Sequence, residues 1–231
     1  MGTFYPYPRT PHLPGSHVID DDKTCTQARF DELATGAHVV VQEKVDGTNV
    51  SLHFEGAGQP VLQKRSGLIL SREHQQYEHF RSWVFQNFEV LRDMLGTRWC
   101  LFGEWLWARH GVAYDSLPDH FLGFDAYDKQ GDRWATHREL VALVAERVAL
   151  VPVLSCGPAA ALPRLDALMG RSRFGSERAE GMYLRLERDD EVVARFKFRR
   201  ADFTPGREDF RTREVTNVIK KTPSGSDGSA S

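Results

Sequence analysis

The pattern of apolar positions predicts a chain of short strands interrupted by few helices. Val39, Val40 and Val41 form an unbroken β-branched run, which reads as a buried strand. The polar turn Asp46-Gly47-Thr48-Asn49 follows. A second strand is expected at 50–54, where Leu52 and Phe54 alternate with Ser51 and His53. A Gly-Ala-Gly-Gln turn then leads to a third strand that runs into Gln63-Lys64-Arg65-Ser66-Gly67. From 72 to 95 the period changes. Phe80, Val84, Phe88, Leu91 and Leu95 recur every three or four residues and Gly96 stands at the C-cap, so one helix is expected, its aromatic stripe facing the core. Residues 98–107 are apolar around Glu104, and 120–128 read as a strand ending in acids. A helix is expected at 137–149, an edge strand at 151–154 marked by Pro152, and a short helix over 158–170. A hairpin of 181–187 and 192–199 closes the pattern around an acidic turn. Strands without a βαβ rhythm place the chain in the α+β class, as one domain of antiparallel sheets with flanking helices.

The ends read differently. Residues 1–37 form an N-terminal arm and the first elements of the domain, and four prolines within FYPYPRTPHLPGSHVIDDDK exclude regular helix there. The plainer expectation is an arm lying on the domain. The alternative gives Arg9, Thr10 and His12 a role at a substrate mouth, with His12 the weakest of the three. Residues 38–200 form the core, 201–221 a short basic extension, and 222–231 a polar tail expected to be disordered. Between Arg195 and Lys221 there are nine Lys/Arg against four acids. That excess fits either a polynucleotide-binding extension or a solvated helix over 208–221.

Composition narrows the class. At 41% hydrophobic and 27% charged the chain is an ordinary globular one, with no apolar run long enough for a membrane span and no signal-peptide pattern. Cys25, Cys100 and Cys156 lie far apart without a C-x-x-C pair, which points to reduced thiols and a cytoplasmic protein. A net charge of -2 means that polynucleotide binding would need a local patch.

The chemistry concentrates around Glu43, Lys44, Asp46, Gly47 and Asn49, five residues within seven positions. A lysine ending a β-branched strand lies near the core, where burial disfavours its ammonium form and makes it a nucleophile. The plainer alternative is a polar turn with Lys44 reaching solvent. Downstream come Lys64-Arg65-Ser66-Gly67, Phe102-Gly103-Glu104, Glu180-Gly181 and Arg195-x-Lys197-x-Arg199. Buried charges are costly unless paired or liganded. Two glutamates, a strand-end lysine and a second set of cations suit a divalent metal, a ribose and a triphosphate together.

In this order the segments resemble the motifs of the ATP-dependent covalent nucleotidyltransferases, nearest to the RNA ligase 2-like branch of bacteriophage and editing ligases. EKVDGTN resembles motif I, KRSG the segment after it, FGEW motif III, FLGFD motif IIIa, EGMYLR motif IV and RFKFR motif V. The resemblance implies a nucleotidyltransferase (ATP-grasp-like) domain and an ATP-dependent RNA ligase. Lys44 would carry AMP, transfer it to a 5′-phosphate end, and a 3′-hydroxyl would then seal the strand. Lys44, Lys197 and Glu180 would be catalytic. Glu43, Asp46, Gly47, Asn49, Arg65, Glu104, Phe124, Lys197 and Arg199 would bind the nucleotide, with Phe124 (or Phe121) stacking on adenine. Glu104 and Glu180 would hold Mg²⁺ or Mn²⁺. Burial, Arg65, Lys197 and the metal are expected to lower the pKa of Lys44. The family's motif V carries two lysines one residue apart; here either Arg195 or Arg199 replaces one. Asp46 stands where the phage branch has histidine, and it matches the K-x-D-G of ligases at large. A DNA nick or end ligase, and a nucleotide- or RNA-binding module that has lost catalysis, are the alternatives. RNA or another polynucleotide with 5′-phosphate and 3′-hydroxyl ends is the expected partner, with no membrane; family members carry a further C-terminal domain, and a protein partner in its place is a second expectation.

Overall fold

The computed structural model describes residues 2–19, 21–56, 58–70, 74–204 and 215–220. Its helices and strands in chain order are α1 (Gln27–Ala34), β1 (His38–Lys44), β2 (Thr48–Phe54), β3 (Pro60–Lys64), β4 (Gly67–Leu68), α2 (Gln75–Gln86), α3 (Phe88–Leu95), β5 (Trp99–Trp105), β6 (Phe121–Asp128), β7 (Arg133–Trp134), α4 (His137–Val144), β8 (Val153–Pro158), α5 (Leu165–Leu168), β9 (Gly181–Arg188) and β10 (Glu191–Arg199). The strands form two antiparallel sheets, one in the order β10-β9-β1-β8 and the other β4-β3-β2-β5-β6-β7. The fold is therefore α+β, antiparallel sheets with a few flanking helices.

Side-chain alternation explains how the sheets stack. On the first sheet Val39, Val41, Met182, Leu184, Leu186 and Phe196 bury one face against α1 and the 159–169 segment. The alternate positions (Gln42, Lys44, Tyr183, Arg185, Arg195, Lys197, Arg199) fall on the opposite face. On the second sheet Val50, Leu52, Phe54, Leu101, Trp105, Phe121 and Ala126 pack under α2, α3 and α4. Ser51, His53 and Gln63 are nonetheless buried, on the face turned towards the first sheet. Each sheet thus has an apolar core under its helices, and the polar faces look at each other. A third cluster around Val45, Leu106, Tyr114, Leu122 and Val151 joins the two near the β1–β2 turn.

Several elements differ from the sequence expectation for local reasons. The single helix expected over 72–95 is broken at Asn87, whose backbone (φ -104°, ψ 14°) leaves the helical region and whose side-chain amide donates to Trp83 O at 2.9 Å. The helix expected to reach 149 stops at Val144 because Ala145 and Glu146 adopt positive φ. It begins as a capping box, with Thr136 and Glu139 reciprocally bonded. The strand expected at 151–154 is β8, which starts at Val153 and runs to Pro158 as the edge strand that Pro152 announced, and the helix expected at 158–170 is reduced to one 3-10 turn at Ala159–Ala161 and the single turn α5. The hairpin turns through Asp189 and Asp190, both at positive φ, the geometry that lets two residues join twisted strands. Helix α1, capped by Thr26, was not legible in the apolar pattern.

Of the basic extension, Arg207, Arg211, Arg213 and Lys221 lie outside the described residues, as does the 222–231 tail. The helix expected over 208–221 is contradicted by 215–220, which run extended along the 107–117 loop. Asn217 anchors that run. Its amide donates to Leu106 O at 2.8 Å and its Oδ1 accepts from Tyr114 N at 3.0 Å. Among the described residues no helix is long and apolar enough to cross a membrane.

Candidate active site

Lys44 is the last residue of β1, opposite Gly181 in the β1–β9 register, so Glu180 stands beside it. Lys44 Nζ donates to Glu180 Oε2 at 2.5 Å, and Arg199 Nε donates to the other carboxylate oxygen at 3.3 Å. Glu180 is buried, and two cations satisfy it. Glu104 lies on β5 directly across from Asn49 on β2. Its Oε1 accepts from Gly47 N at 3.2 Å. Gly47 has no need of positive φ; it is required by close approach. A Cβ there would lie 2.7 Å from Trp105 O and 2.6 Å from Leu106 Cδ2.

Two residues expected to bind nucleotide have their carboxylates engaged elsewhere. Asp46 Oδ2 accepts from Gly111 N (2.6 Å) and Val112 N (3.1 Å), while its own N–H donates to the Tyr114 hydroxyl at 2.7 Å. Asp46 therefore ties the β1–β2 turn to the 106–117 loop. Glu43 is buried and accepts from Ser172 Oγ (2.5 Å) and Arg173 N (3.0 Å), which pins the loop before Glu180. Burial pushes the Glu43 carboxyl up, against these two hydrogen bonds.

Between the sheets lies an open cleft whose empty space, counting its mouth, is about 790 Å³. Glu43, Lys44, Asn49, Arg65, Glu104, Phe124, Lys197 and Arg199 all line it; Asp46, Gly47 and Glu180 sit behind its wall. Arg199 and Lys197 are thus the motif V residues at the cavity. Arg195 is instead bound to Asp125, Nε to Oδ2 at 2.9 Å. Phe124 rather than Phe121 reaches the cavity, since Phe121 is buried in the core under α2.

Thr10, one of the three residues considered for a substrate mouth, lines the cavity, whereas Arg9 and His12 are not among its lining residues; Tyr7, Tyr183 and Gln42 also line it and were missed in the sequence. Gln42 is fully buried, and its carboxamide finds no hydrogen-bond partner among the described residues. A buried amide with free donor and acceptor on a cavity wall calls for a partner, which water or a ligand can supply. Its place two residues before Lys44 on a β1 face was the available signal. Behind the cavity, Asp125 on β6 meets Arg185 on β9 and Arg195 on β10 at 3.3 and 2.8 Å, and accepts from the Tyr7 hydroxyl at 3.0 Å. This buried cluster joins the two sheets.

The electrostatics reverse one expectation. Burial alone would lower the Lys44 pKa, but Glu180, Glu104 and Asp46 override it and hold the ammonium above its ordinary value. Arg65 and Lys197 do not offset three acids. Burial drives Glu104 up to about 8, with Glu180 and Asp46 adding to the effect and Lys44 opposing it. Among the described residues no three His, Cys, Asp or Glu converge into a complete metal site. Glu180, bonded to Lys44, and Glu104, close enough to feel its charge, are oxygen donors of the kind that Mg²⁺ prefers, with phosphate and water oxygens to complete its shell.

A protein-family model described as RNA ligase matches residues 37–199. No curated protein matches the chain significantly. Among solved structures, the Naegleria gruberi RNA ligase with PPi superimposes with a TM-score of 0.57 at 17% identity, covering 83% of this chain and 59% of that one. Mutant forms of the same ligase with AMP and Mn (TM-score 0.54, 16% identity, 83% and 60% covered) and with ATP and Mn (0.53, 16%, 83% and 59%) match alike. The chain spans about three-fifths of the length of these structures, and at such identity they establish the fold. With the family model covering most of the chain, from the start of β1 to the end of β10, the protein belongs to the RNA ligase family.

Proposed function

We propose that this protein is an ATP-dependent RNA ligase that works through a lysyl-AMP intermediate. The observation that carries the reading is Lys44 at the end of β1, bonded to Glu180 and opening on a cavity shared with Glu104, Lys197 and Arg199. Lys44 Nζ is the group that attacks the α-phosphorus of ATP. A P–N bond forms, the bond to the bridging oxygen of the β-phosphate breaks, and pyrophosphate leaves. Lys197 and Arg199 bear the charge that develops on the α-phosphate, and Arg65 meets the phosphates at the mouth. Phe124 and Tyr183 flank the base, with Gln42 free to donate to it and accept from it. Glu104 faces the ribose or a metal-bound water, and Glu180 orients Lys44.

The resting ammonium of Lys44 has to lose its proton before attack. Mg²⁺ or Mn²⁺ held against Glu104 and Glu180 would neutralise the acids that keep that proton in place; the Naegleria relative was solved with Mn beside ATP and AMP. Transfer of AMP to an RNA 5′-phosphate and sealing by a 3′-hydroxyl complete the reaction. Incubation with α-labelled ATP and Mg²⁺ should leave acid-labile AMP on the parent and none on Lys44→Ala. Label retained by the variant rejects the nucleophile. Failure of the charged parent to join 5′-phosphorylated RNA, while it joins DNA, rejects the substrate.

A further inference from the structure

Behind two residues that line the cavity, Lys197 and Arg199, the N-terminal segment brings a carboxylate that none of the motif residues accounts for. Asp22 Oδ1 accepts from Lys197 Nζ at 2.8 Å, and Oδ2 lies 3.6 Å from Arg199 Nη1 and 3.0 Å from His12 Nε2. All four side chains are buried or nearly so, His12 completely. The segment is laced to the outer edge of β10. Lys197 N donates to Pro11 O at 3.0 Å, Leu13 N to Lys197 O at 2.9 Å and His17 N to Arg199 O at 3.0 Å. Ser16 Oγ accepts from Arg199 N at 2.9 Å and meets His12 Nδ1 at 2.5 Å. A closed chain of polar contacts therefore runs from the backbone of Arg199 through Ser16, His12 and Asp22 back to Lys197 on the same strand.

We propose that Asp22 is a positioning residue for adenylylation, holding Lys197, and with it Arg199, in place to meet the α-phosphate. The proposal rests on the reading of the cavity as a lysyl-AMP site. Lysine is a flexible four-carbon stem with three donors. One donor on Asp22 fixes the stem and leaves two for phosphate oxygens. The groups facing Lys197 are Asp22 and His12 from the N-terminal segment, Arg199 from its own strand, Lys44 from β1 and Tyr183 across the β9–β10 register. Glu180 lies between Lys44 and Arg199 and is occupied by both. Asp22 is thus the acid in contact with Lys197. Burial, then Arg199 and Lys44, pull the Lys197 pKa down, and Asp22 opposes them. His12 is driven to about 4 by burial and by Lys197, so it is neutral and leaves the charge of Asp22 to the two cations.

Asp22→Asn and Asp22→Glu in the full chain test this by single-turnover formation of lysyl-AMP at saturating Mg-ATP, from neutral to alkaline pH. ATP affinity is measured separately in a Lys44→Ala background. Asp22→Asn should slow adenylylation on the order of 10²-fold, the cost of misplacing a catalytic group by about 1 Å, with little change in ATP affinity. The alkaline limb of its rate profile should move to lower pH, as Lys197 loses the acid that holds its proton, and Asp22→Glu should recover most of the rate. An unchanged rate overturns the proposal. So does a faster one with tighter ATP, which would make Asp22 a competitor of the phosphates. A slow variant with the parental pH profile, or loss of fold in both variants, makes Asp22 structural and overturns it as well. A parent that forms no AMP adduct on Lys44 takes down the underlying reading too; labelled parent and equally labelled variants defeat this proposal alone.

Discussion

Glu104→Gln should stabilise the nucleotide-free protein at neutral pH while it destroys adenylylation. Glu104 lies against Lys44, Glu180 and Asp46, and its carboxyl is held up to about 8 from an ordinary 4.5. A carboxyl raised in the folded state favours folding below its ordinary value and loses that advantage as pH climbs through about 8. At pH 7 the unfolded chain has an ionised Glu104 and the folded one does not. The span from 4.5 to 7, at about 1.36 kcal/mol per pH unit, sets a ceiling of roughly 3 kcal/mol. Solvent reaches part of this side chain, so about half of that is the realistic cost. Glutamine cannot ionise and still offers an oxygen to Gly47 N–H. The variant should therefore melt about 3–6 °C above the parent at pH 7, with the gap widening towards pH 8 and closing towards pH 5. Differential scanning calorimetry across that pH range, beside labelling with α-labelled ATP, is the assay. A variant less stable than the parent at pH 8, or a gap independent of pH, would refute the claim that acids crowd this site; normal labelling would refute the role of Glu104.

Gln42→Leu should raise Tm by a few degrees, since it removes a buried amide without partners, and weaken ATP binding about tenfold, the worth of one net hydrogen bond; isothermal titration in a Lys44→Ala background reads the second effect. Asp125→Ala should cost about 3–5 kcal/mol, because Arg185 and Arg195 would stay buried without their shared acid; a melting curve within 2 °C of the parent (below about 1 kcal/mol) would show that the cluster does not join the sheets. Gly47→Ala should cost about 1–3 kcal/mol through the clash with Trp105 O and Leu106. It should also slow labelling on the order of 10²-fold by shifting the turn after Lys44, and unaltered labelling would mean that this close approach does not set the lysine's position.

Local signals sufficed for part of this protein. The run Val39–Val41, the alternation in β2 and the hairpin around Asp189-Asp190 carry period-2 patterns and turn chemistry that specify strands by themselves. The order of EKVDGTN, FGEW, EGMYLR and RFKFR identified the family, now matched over 37–199. The same residues were ambiguous wherever their meaning depended on what faces them. Periodicity shows that Gln42, Lys44, Tyr183, Lys197 and Arg199 share faces, but not whether such a face meets water or another sheet; stacking made it a cavity wall. Motif spacing treats Glu43, Lys44 and Asp46 as one unit, yet their side chains diverge to the 172–173 loop, the cavity and the 111–112 loop. The pKa of Lys44 depended on how many acids converge from the β1–β2 turn, β5 and the residue before β9, a sum over distances that sequence separation hides. Asp22 lies 175 residues from Lys197 in sequence and His12 farther still, in an N-terminal segment that has no periodicity to read. What the sequence determined by itself was most of the longer strands and the family. Tertiary packing alone decided which polar residues meet, because contact between them is made across sheets and along an edge, where no local pattern reaches.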